Sequence, residues 1–156
     1  MIFVSITDAA RQMAELAARA ADEKSASNIA VIDVSDVLAI TELFVIASAD
    51  NERQVRSIVE EIEDALTAEG FEPKRREGVR ENRWVLLDYG FTVVHIQREQ
   101  EREYYGLDRL YHDCPLIEID GIEPATRPGT WDNIRDAQSI DDIPLAEKEP
   151  EEVEEY

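Results

Sequence analysis

The chain has 156 residues, which suits one compact domain with appendages and is long enough to bury a core without disulfides or a metal. Its formal charge of −20, from 36 acidic and 16 basic residues, disfavours contact with nucleic-acid phosphates; it favours a basic partner or merely keeps the protein soluble. With one cysteine, no run near the roughly 18 apolar residues of a membrane helix and no signal-peptide pattern, we expect a cytoplasmic protein.

The amino-terminal third predicts one helix and two strands. Apolar residues at helical spacing predict a helix from residue 7 to about 21, which Thr7 or Asp8 can cap. Residues 28–35 form a short β-branched run that predicts a strand. Residues 42–49 are nearly all apolar, as in a strand that is covered on both faces. The segment between these strands is too short for a confident helix and is left as a connection.

The best-defined helix covers residues 51 to 69 approximately. Its apolar residues form one stripe, Asp50 or Asn51 can cap its start, and Gly70 ends it. We expect this helix to cross over from the preceding strand to the next one. The segment 71–78 follows and contains the main basic patch, which predicts an edge strand.

The next part of the chain predicts a hairpin and then short helices. Residues 83–90 and 91–97 predict two strands separated by Tyr89-Gly90, which suits a tight turn. Residues 98–113 predict one or two short helices with a break at Gly106. Residues 115–120 predict one more short edge strand. The order of elements predicts an α/β fold, with a mixed sheet of about five strands and flanking helices.

The composition changes after Asp120. Residues 121–156 contain four of the six prolines, eleven acidic residues and three basic residues, with little apolar periodicity. We therefore predict a folded domain over 1–120 and a disordered acidic tail over 121–156. Trp131 lies in this tail and could dock on the domain.

Motifs for catalysis are weak. The chain has no glycine-rich phosphate loop and no G-x-S-x-G elbow, and two histidines with one cysteine do not form a zinc cluster. His95 lies in a predicted strand and has three open interpretations: a structural histidine, an interaction-surface residue or a catalytic base. Trp84 is either a sheet-packing residue or an interface anchor. The basic segment 73–77 either protects a sheet edge against pairing with another sheet or contacts nucleic acid.

Three stretches resemble, in order, the ribosomal silencing factor family, RsfS, also called Iojap-like. They are DVSDVLAITELFVIAS (33–48), RQVRSIVEEIEDAL (53–66) and EGVRENRWVLLDYGFTVVHIQREQEREYYGLDRLYHD (77–113). The most specific part is W-x-L-L-D-Y-G-x-x-V-V-H, which begins at Trp84, followed by R-x-Y-Y-x-L-(D/E)-x-L-aromatic, which begins at Arg102. The resemblance runs from about Ala9 to Asp113 and leaves out the tail.

The resemblance implies a nucleotidyltransferase-like scaffold, a homodimer, no catalysis and no cofactor. It implies binding to the large ribosomal subunit through its protein L-fourteen, on the face that meets the small subunit. Joining of the subunits would then be blocked sterically, and translation would fall when nutrients are scarce. It implies neither membrane binding nor direct sequence-specific nucleic acid binding.

The alternative is a nucleotidyltransferase-like enzyme that acts on a nucleotide substrate. That chemistry uses metal-bound carboxylates two residues apart on a strand. Glu42 is suitably placed, but Phe44 stands where the second carboxylate is needed. Fold alone does not establish function, so we favour the scaffold without the chemistry.

The resemblance places the ribosomal contact on the strand motif and the helical motif together. The expected partner-binding residues are Trp84, Asp88, Tyr89, His95, Glu99, Arg102, Tyr104, Tyr105 and Asp108. Trp84 and the tyrosines would be apolar anchors, whereas the acidic residues would give charge complementarity. Gly90 is expected to serve the turn, and Leu107 and Leu110 the core or a dimer interface.

Three positions depart from what is common in the family. Thr41-Glu42 stands where the family commonly has T-D, and Leu110-Tyr111 where it has L-W. Phe91 replaces an acidic residue that commonly follows D-Y-G. Because Phe91 exchanges a charge for an apolar side chain, we expect the charge pairs of the interface to differ and the fold to be kept.

Overall fold

A six-stranded mixed sheet organises residues 6–126, the part of the chain that the computed structural model describes. In chain order, its elements are α1 (Asp8–Glu23), β1 (Ser27–Asp33), β2 (Leu43–Ala49), α2 (Glu52–Ala68), β3 (Arg75–Glu77), β4 (Trp84–Asp88), β5 (Thr92–Arg98), α3 (Glu99–Tyr105), α4 (Leu107–Leu110) and β6 (Leu116–Ile117). The strands lie in the order β3-β4-β5-β2-β1-β6, and β2 and β5 are parallel while the other neighbours are antiparallel. The predicted α/β class is confirmed. Within the described residues, no helix is long and apolar enough to span a bilayer.

The two long helices begin at the predicted caps. The Thr7 side chain accepts a hydrogen bond from the Ala10 amide at 3.1 Å, and Asn51 accepts one from the Gln54 amide at 2.8 Å. Each bond satisfies an amide that the first turn of a helix would otherwise leave unpaired. After α2 the chain turns at Gly70, whose φ of +88° favours glycine.

Helices α1 and α2 cover one face of the sheet, here called the helix-side face. Their apolar stripes pack against inward-facing residues of the central strands, and every side chain of β2 is buried, as predicted. The α2 crossover carries the chain from β2 past β5 and β4 to β3 at the edge. Burial of these apolar side chains is the main source of the fold's stability.

The short helices α3 and α4 cover part of the opposite face, here called the open face. Gly106 separates them in a left-handed conformation with φ +64°, which confirms the predicted break. Leu107 and Tyr111 are buried against Phe44 and neighbouring strand residues. Because these helices are short, Trp84 and other residues of β4 on this face stay partly exposed.

A tight turn joins β4 and β5, as predicted. The Tyr89 amide donates to the Thr92 carbonyl at 2.9 Å, and Gly90 has a φ of +92°. The Gly90 amide also donates to the Asp88 carboxylate at 2.8 Å. This turn fixes the register in which β4 lies beside β5.

The predicted boundary at residue 120 and the tail beyond it remain predictions. Ile122 packs against the helix-side core, and the Thr126 amide donates to the Asn28 side chain at 3.0 Å. Residues 121–126 therefore still contact the domain. Trp131 and the rest of 127–156 lie outside the described residues.

Candidate partner-binding surface

A row of aromatic rings runs from the surface of the open face into its core. We call it the aromatic row; its members are Tyr104, Tyr105, Trp84, His95, Phe44 and Tyr111. At the outer end, the Tyr104 and Tyr105 rings meet edge to face at 4.9 Å, and Tyr105 packs on Trp84 at 4.8 Å. Tyr104 is 70% exposed, while Tyr105 and Trp84 are partly exposed. The outer end therefore presents aromatic surface that the domain itself holds in place.

His95 links the outer and inner ends of the row. The Trp84 Nε1–H donates to His95 Nδ1 at 3.1 Å, and the Phe44 ring lies 4.7 Å from the imidazole. Burial lowers the pKa of His95 to about 3, so the ring is neutral at physiological pH. Because Nδ1 accepts, the ring hydrogen is on Nε2. The imidazole is 4% exposed, which favours the structural interpretation of this histidine over the catalytic one.

A buried ion pair anchors α3 and α4 to the sheet. Arg102 donates from Nε and Nη2 to the two oxygens of Asp108, both at 2.9 Å. Its Nη1 donates to the Ser48 hydroxyl at 3.0 Å and to the Asn28 carbonyl. Arg102 and Asp108 are 6% and 5% exposed. Bidentate pairing of this kind fixes geometry as well as energy, so it sets where the two helices lie.

The two predicted site residues beside the β4–β5 turn have structural partners. Asp88 accepts the Gly90 amide, and its carboxylate lies 3.6 Å from Nε of Arg75. Tyr89 is buried in the helix-side core, on the far side from the aromatic row. Burial, and secondarily the charge of Glu63, raises the pKa of the Tyr89 hydroxyl.

The nine predicted contacts divide into two groups. The structure brings Trp84, Tyr104 and Tyr105 together at or near the surface, while Glu99 is exposed at the start of α3 and Asp88 is partly exposed at the turn. The remaining four are buried and not at the surface as expected, while their contact with a partner stays a prediction: Tyr89, His95, Arg102 and Asp108. Arg102 and Asp108 are buried because they pair with each other, whereas Tyr89 and His95 are held by ring packing and, for His95, by the bond from Trp84.

At the end of the sheet opposite the outer aromatic rings, two exposed apolar residues that sequence reasoning did not single out, Val37 and Ile40, accompany Phe91. Val37, Ile40 and Phe91 are exposed large apolar residues at the amino ends of β2 and β5, and Ile40 is 80% exposed. We call them the end patch. The amides of Glu42 and Leu43 donate to the Phe91 carbonyl at 2.8 and 3.0 Å, which holds the loop before β2 against the turn. The sequence signal for this patch was the pair of apolar residues Val37 and Ile40, which lie in a connection too short for a helix.

The structure gives the carboxylate considered for the enzyme alternative another role. Glu42 accepts hydrogen bonds from the Thr7 amide at 2.8 Å and the Thr7 hydroxyl at 3.1 Å. Phe44 lies in the aromatic row. Among the described residues, no group of three or more histidine, cysteine or acidic side chains could hold a metal ion.

Comparison with known proteins identifies the family. The family described as "Ribosomal silencing factor during starvation" matches residues 7–143. The chain belongs to this family. Ribosomal silencing factor RsfS of Bacillus subtilis is 36% identical over 110 residues, which cover 70% of this chain and 93% of that protein. The RsfS of Halalkalibacterium halodurans is 35% identical over 112 residues, or 72% of this chain and 96% of that protein.

Solved structures agree with the RsfS assignment. A crystal structure of a Bacillus halodurans protein superposes with a TM-score of 0.62 at 33% identity, covering 70% of this chain and 99% of that one. An X-ray structure from Chromobacterium violaceum gives a TM-score of 0.64 at 25% identity, covering 77% of this chain and 93% of that one. The RsfS family is regulatory and the relatives named here carry no enzyme name, in agreement with the expectation that this chain is not an enzyme.

Proposed function

We propose that this RsfS-family chain binds the large ribosomal subunit through ribosomal protein L-fourteen and blocks joining of the small subunit. Translation would then fall when nutrients are scarce. The observation that carries the proposal is the outer end of the aromatic row, which stands partly exposed on a sheet face that two short helices leave open. Tryptophan and tyrosine dominate the binding energy of protein interfaces.

Charge supports the same partner. The chain carries a net charge of −20, and Glu99 is exposed at the start of α3, the helix that carries both tyrosines. Ribosomal proteins are commonly basic, so opposite charges would speed and orient the encounter. Trp84, Tyr104 and Tyr105 are the proposed apolar anchors, with Glu99 and Asp88 supplying charge.

The four buried residues receive supporting roles in this proposal. His95 holds the Trp84 indole by a hydrogen bond, and the pair of Arg102 and Asp108 holds α3, which carries both tyrosines. Tyr89 packs the turn that contains Asp88 against the core. A partner would thus meet an aromatic surface whose geometry is set before binding, which lowers the entropic cost of association.

A homodimer is also part of the proposal, and the end patch is the surface we assign to it. Exposed apolar side chains that lie together mark interaction sites more often than scattered ones do. We expect light scattering after gel filtration to give the mass of a dimer, and Ile40→Asp to give a monomer. Glu60→Asp, an exposed change on α2, is the matched control. A wild-type monomer at micromolar concentration would contradict this part. The proposal requires a cytoplasmic protein, no cofactor and no membrane.

Sedimentation of separated ribosomal subunits with the full chain tests the main proposal. We expect the protein in the large-subunit fraction and a loss of the joined particle. Trp84→Ala should remove both effects while keeping the far-ultraviolet circular dichroism of the wild type, and Arg11→Ala, an exposed change on α1, should remove neither. Wild-type protein that stays at the top of the gradient at low salt would contradict the proposal. Nucleotide and metal binding would then be the next measurement, because the enzyme alternative would regain ground.

A further inference from the structure

A polar cleft of about 450 Å³ lies at the carboxyl ends of the parallel strands β2 and β5. The chain leaves β2 into α2 on the helix-side face, and leaves β5 into α3 and α4 on the open face. In open α/β sheets, adjacent parallel strands whose connections diverge in this way open a crevice in which ligands bind. The volume lies within the range of small-molecule sites.

The lining of the cleft consists of polar side chains and one glycine. Ser27 and Asn28 come from β1, Ser48 from the end of β2, and Glu99 and Glu103 from α3. No apolar residue lines it, although the carbon atoms of these polar side chains form part of its surface. A ligand of this cleft must be recognised by charge and hydrogen bonds.

Arg109 brings a positive charge into the cleft. Its guanidinium lies over Gly106: a Cβ atom at that glycine would stand 2.9 Å from Nη2 of Arg109. Arg109 Nε is buried and has no hydrogen-bond partner among residues 6–126. The neighbouring Arg102, by contrast, donates hydrogen bonds to Asp108, Ser48 and Asn28. Because Nε is buried, a ligand carboxylate would meet the other guanidinium nitrogens of Arg109, which is among the residues that line the cleft.

We propose that this cleft binds a free α-amino acid, with the carboxylate on Arg109 and the ammonium group on Glu99 and Glu103. A polyanion such as a nucleotide would meet these two carboxylates and the net charge of −20, so it is disfavoured. A cation without a carboxylate would leave Arg109 unpaired. A molecule with one charge of each sign satisfies both sides of the cleft.

The side chain of the ligand follows from the same lining. The polar groups of the walls favour a small or hydrogen-bonding side chain such as that of serine, whereas leucine would leave those groups without partners. The family's description names starvation, a condition in which free amino acids become scarce, so the ligand class is compatible with the family. The evidence for the cleft concerns no partner protein, but Glu99 is shared with the proposed ribosomal surface. Arg109→Gln therefore tests the cleft, and Trp84→Ala tests the ribosomal contact.

Titration calorimetry of the full chain with L-serine tests this site. We expect saturable binding, with about tenfold or weaker affinity for 3-hydroxypropanoate, which lacks the ammonium group, and for ethanolamine, which lacks the carboxylate. Leucine should also bind more weakly. Arg109→Gln, which keeps a polar side chain and removes the charge, should lower serine affinity about tenfold or more, while Arg11→Gln, an exposed change on α1, leaves it unchanged.

Two outcomes would overturn the proposal. One is the absence of saturable binding for serine and for the other polar amino acids at millimolar concentration. The other is serine affinity in Arg109→Gln equal to that of the wild type, provided that thermal unfolding shows the variant to be folded. If Arg109→Gln fails to fold, Glu103→Gln, an exposed change, provides the same comparison at the ammonium side.

Discussion

The two faces of the sheet are covered by helices of different length and bury different kinds of side chain. The helix-side face is closed by α1 and α2, helices of 16 and 17 residues whose buried positions are apolar. The open face is covered by α3 and α4, of 7 and 4 residues, and it encloses His95, Gln97 and the pair of Arg102 and Asp108. One face obtains stability from apolar burial, whereas the other gives up some of that burial to hold a particular surface geometry.

This difference suggests that the helix-side face mainly stabilises the fold, whereas the open face positions the residues proposed to bind a partner. Apolar side chains pack in many arrangements with similar energy, but a bidentate ion pair bonds in one geometry. The open face therefore fixes α3, and with it Tyr104 and Tyr105, by Arg102 and Asp108 rather than by a larger core. The comparison predicts that substitutions on the two faces will separate stability from binding.

The largest effect is expected from Arg102→Ala. Removing one partner leaves the Asp108 charge buried and unpaired, so the free energy of unfolding should fall by about 3–5 kcal/mol. Urea unfolding measures this change. The double variant Arg102→Met with Asp108→Leu should recover much of the loss, because it removes both charges. A single variant that loses less than about 1 kcal/mol would show that the pair is not desolvated as the structure indicates.

Ile62→Ala on α2 should cost about 2–5 kcal/mol of unfolding free energy, through lost burial and the cavity it leaves. Ile62 is fully buried in the helix-side core. Ribosome binding by the folded fraction should remain at the wild-type level, as measured by sedimentation at a temperature where the variant is folded. Loss of binding with the fold intact would show that the helix-side face takes part in recognition.

Trp84→Ala should weaken binding to the large subunit by about 2 kcal/mol or more, which is about 30-fold in affinity. The indole joins Tyr105 at the surface to His95 inside, so its loss removes the centre of the aromatic row. A sedimentation titration gives the affinity. Unchanged affinity in a folded Trp84→Ala protein would remove Trp84 from the site.

Tyr104→Ala should separate an effect on binding from an effect on stability better than the other variants. Its ring is 70% exposed, so the free energy of unfolding should change by no more than about 0.5 kcal/mol. Binding should weaken by about 1 kcal/mol if Tyr104 contacts the partner. Equal affinities for variant and wild type would place the contact elsewhere on the open face.

The smallest effect at neutral pH is expected from His95→Gln, because the glutamine oxygen can accept the Trp84 hydrogen bond. Fold and most of the binding should remain. In the wild type, the pKa of His95 falls from its ordinary 6.5 to about 3, so between these pH values the unfolded chain binds a proton that the folded chain does not. His95 therefore makes stability fall as the pH drops from 6.5 toward 3.

Urea unfolding of both proteins at several pH values measures this contribution. The wild type should lose more stability than His95→Gln as the pH falls below 6.5. Parallel losses in the two proteins would show that His95 is protonated as readily in the folded chain as in the unfolded chain, contrary to its burial.

The helix-side face was predictable because its information is local. The apolar stripe of α2 and its Asn51 cap lie within one short segment, and the prediction of 51–69 differs from the observed Glu52–Ala68 by one residue at each end. Alternation along β5 is equally regular: Val94 and Ile96 lie in the helix-side core, whereas Val93 lies in the core of the open face. Periodicity records burial wherever an element is regular.

The candidate surface was predictable only in part. Arg102 and Asp108 are six residues apart, and they meet because Gly106 turns the chain through a left-handed conformation between two short helices. The hydrogen bond between Trp84 and His95 depends on the register of β4 on β5. Neither contact is visible as a spacing in the sequence, so Arg102 and Asp108 were expected at the surface.

The most direct test of the central claim is the fraction of joined ribosomes formed from separated subunits as wild-type protein is added. The account predicts that this fraction falls with increasing wild-type protein, falls less with Tyr104→Ala, and hardly changes with Trp84→Ala. An unchanged fraction at saturating wild-type protein would contradict the claim that the open face of this domain silences the ribosome by blocking subunit joining.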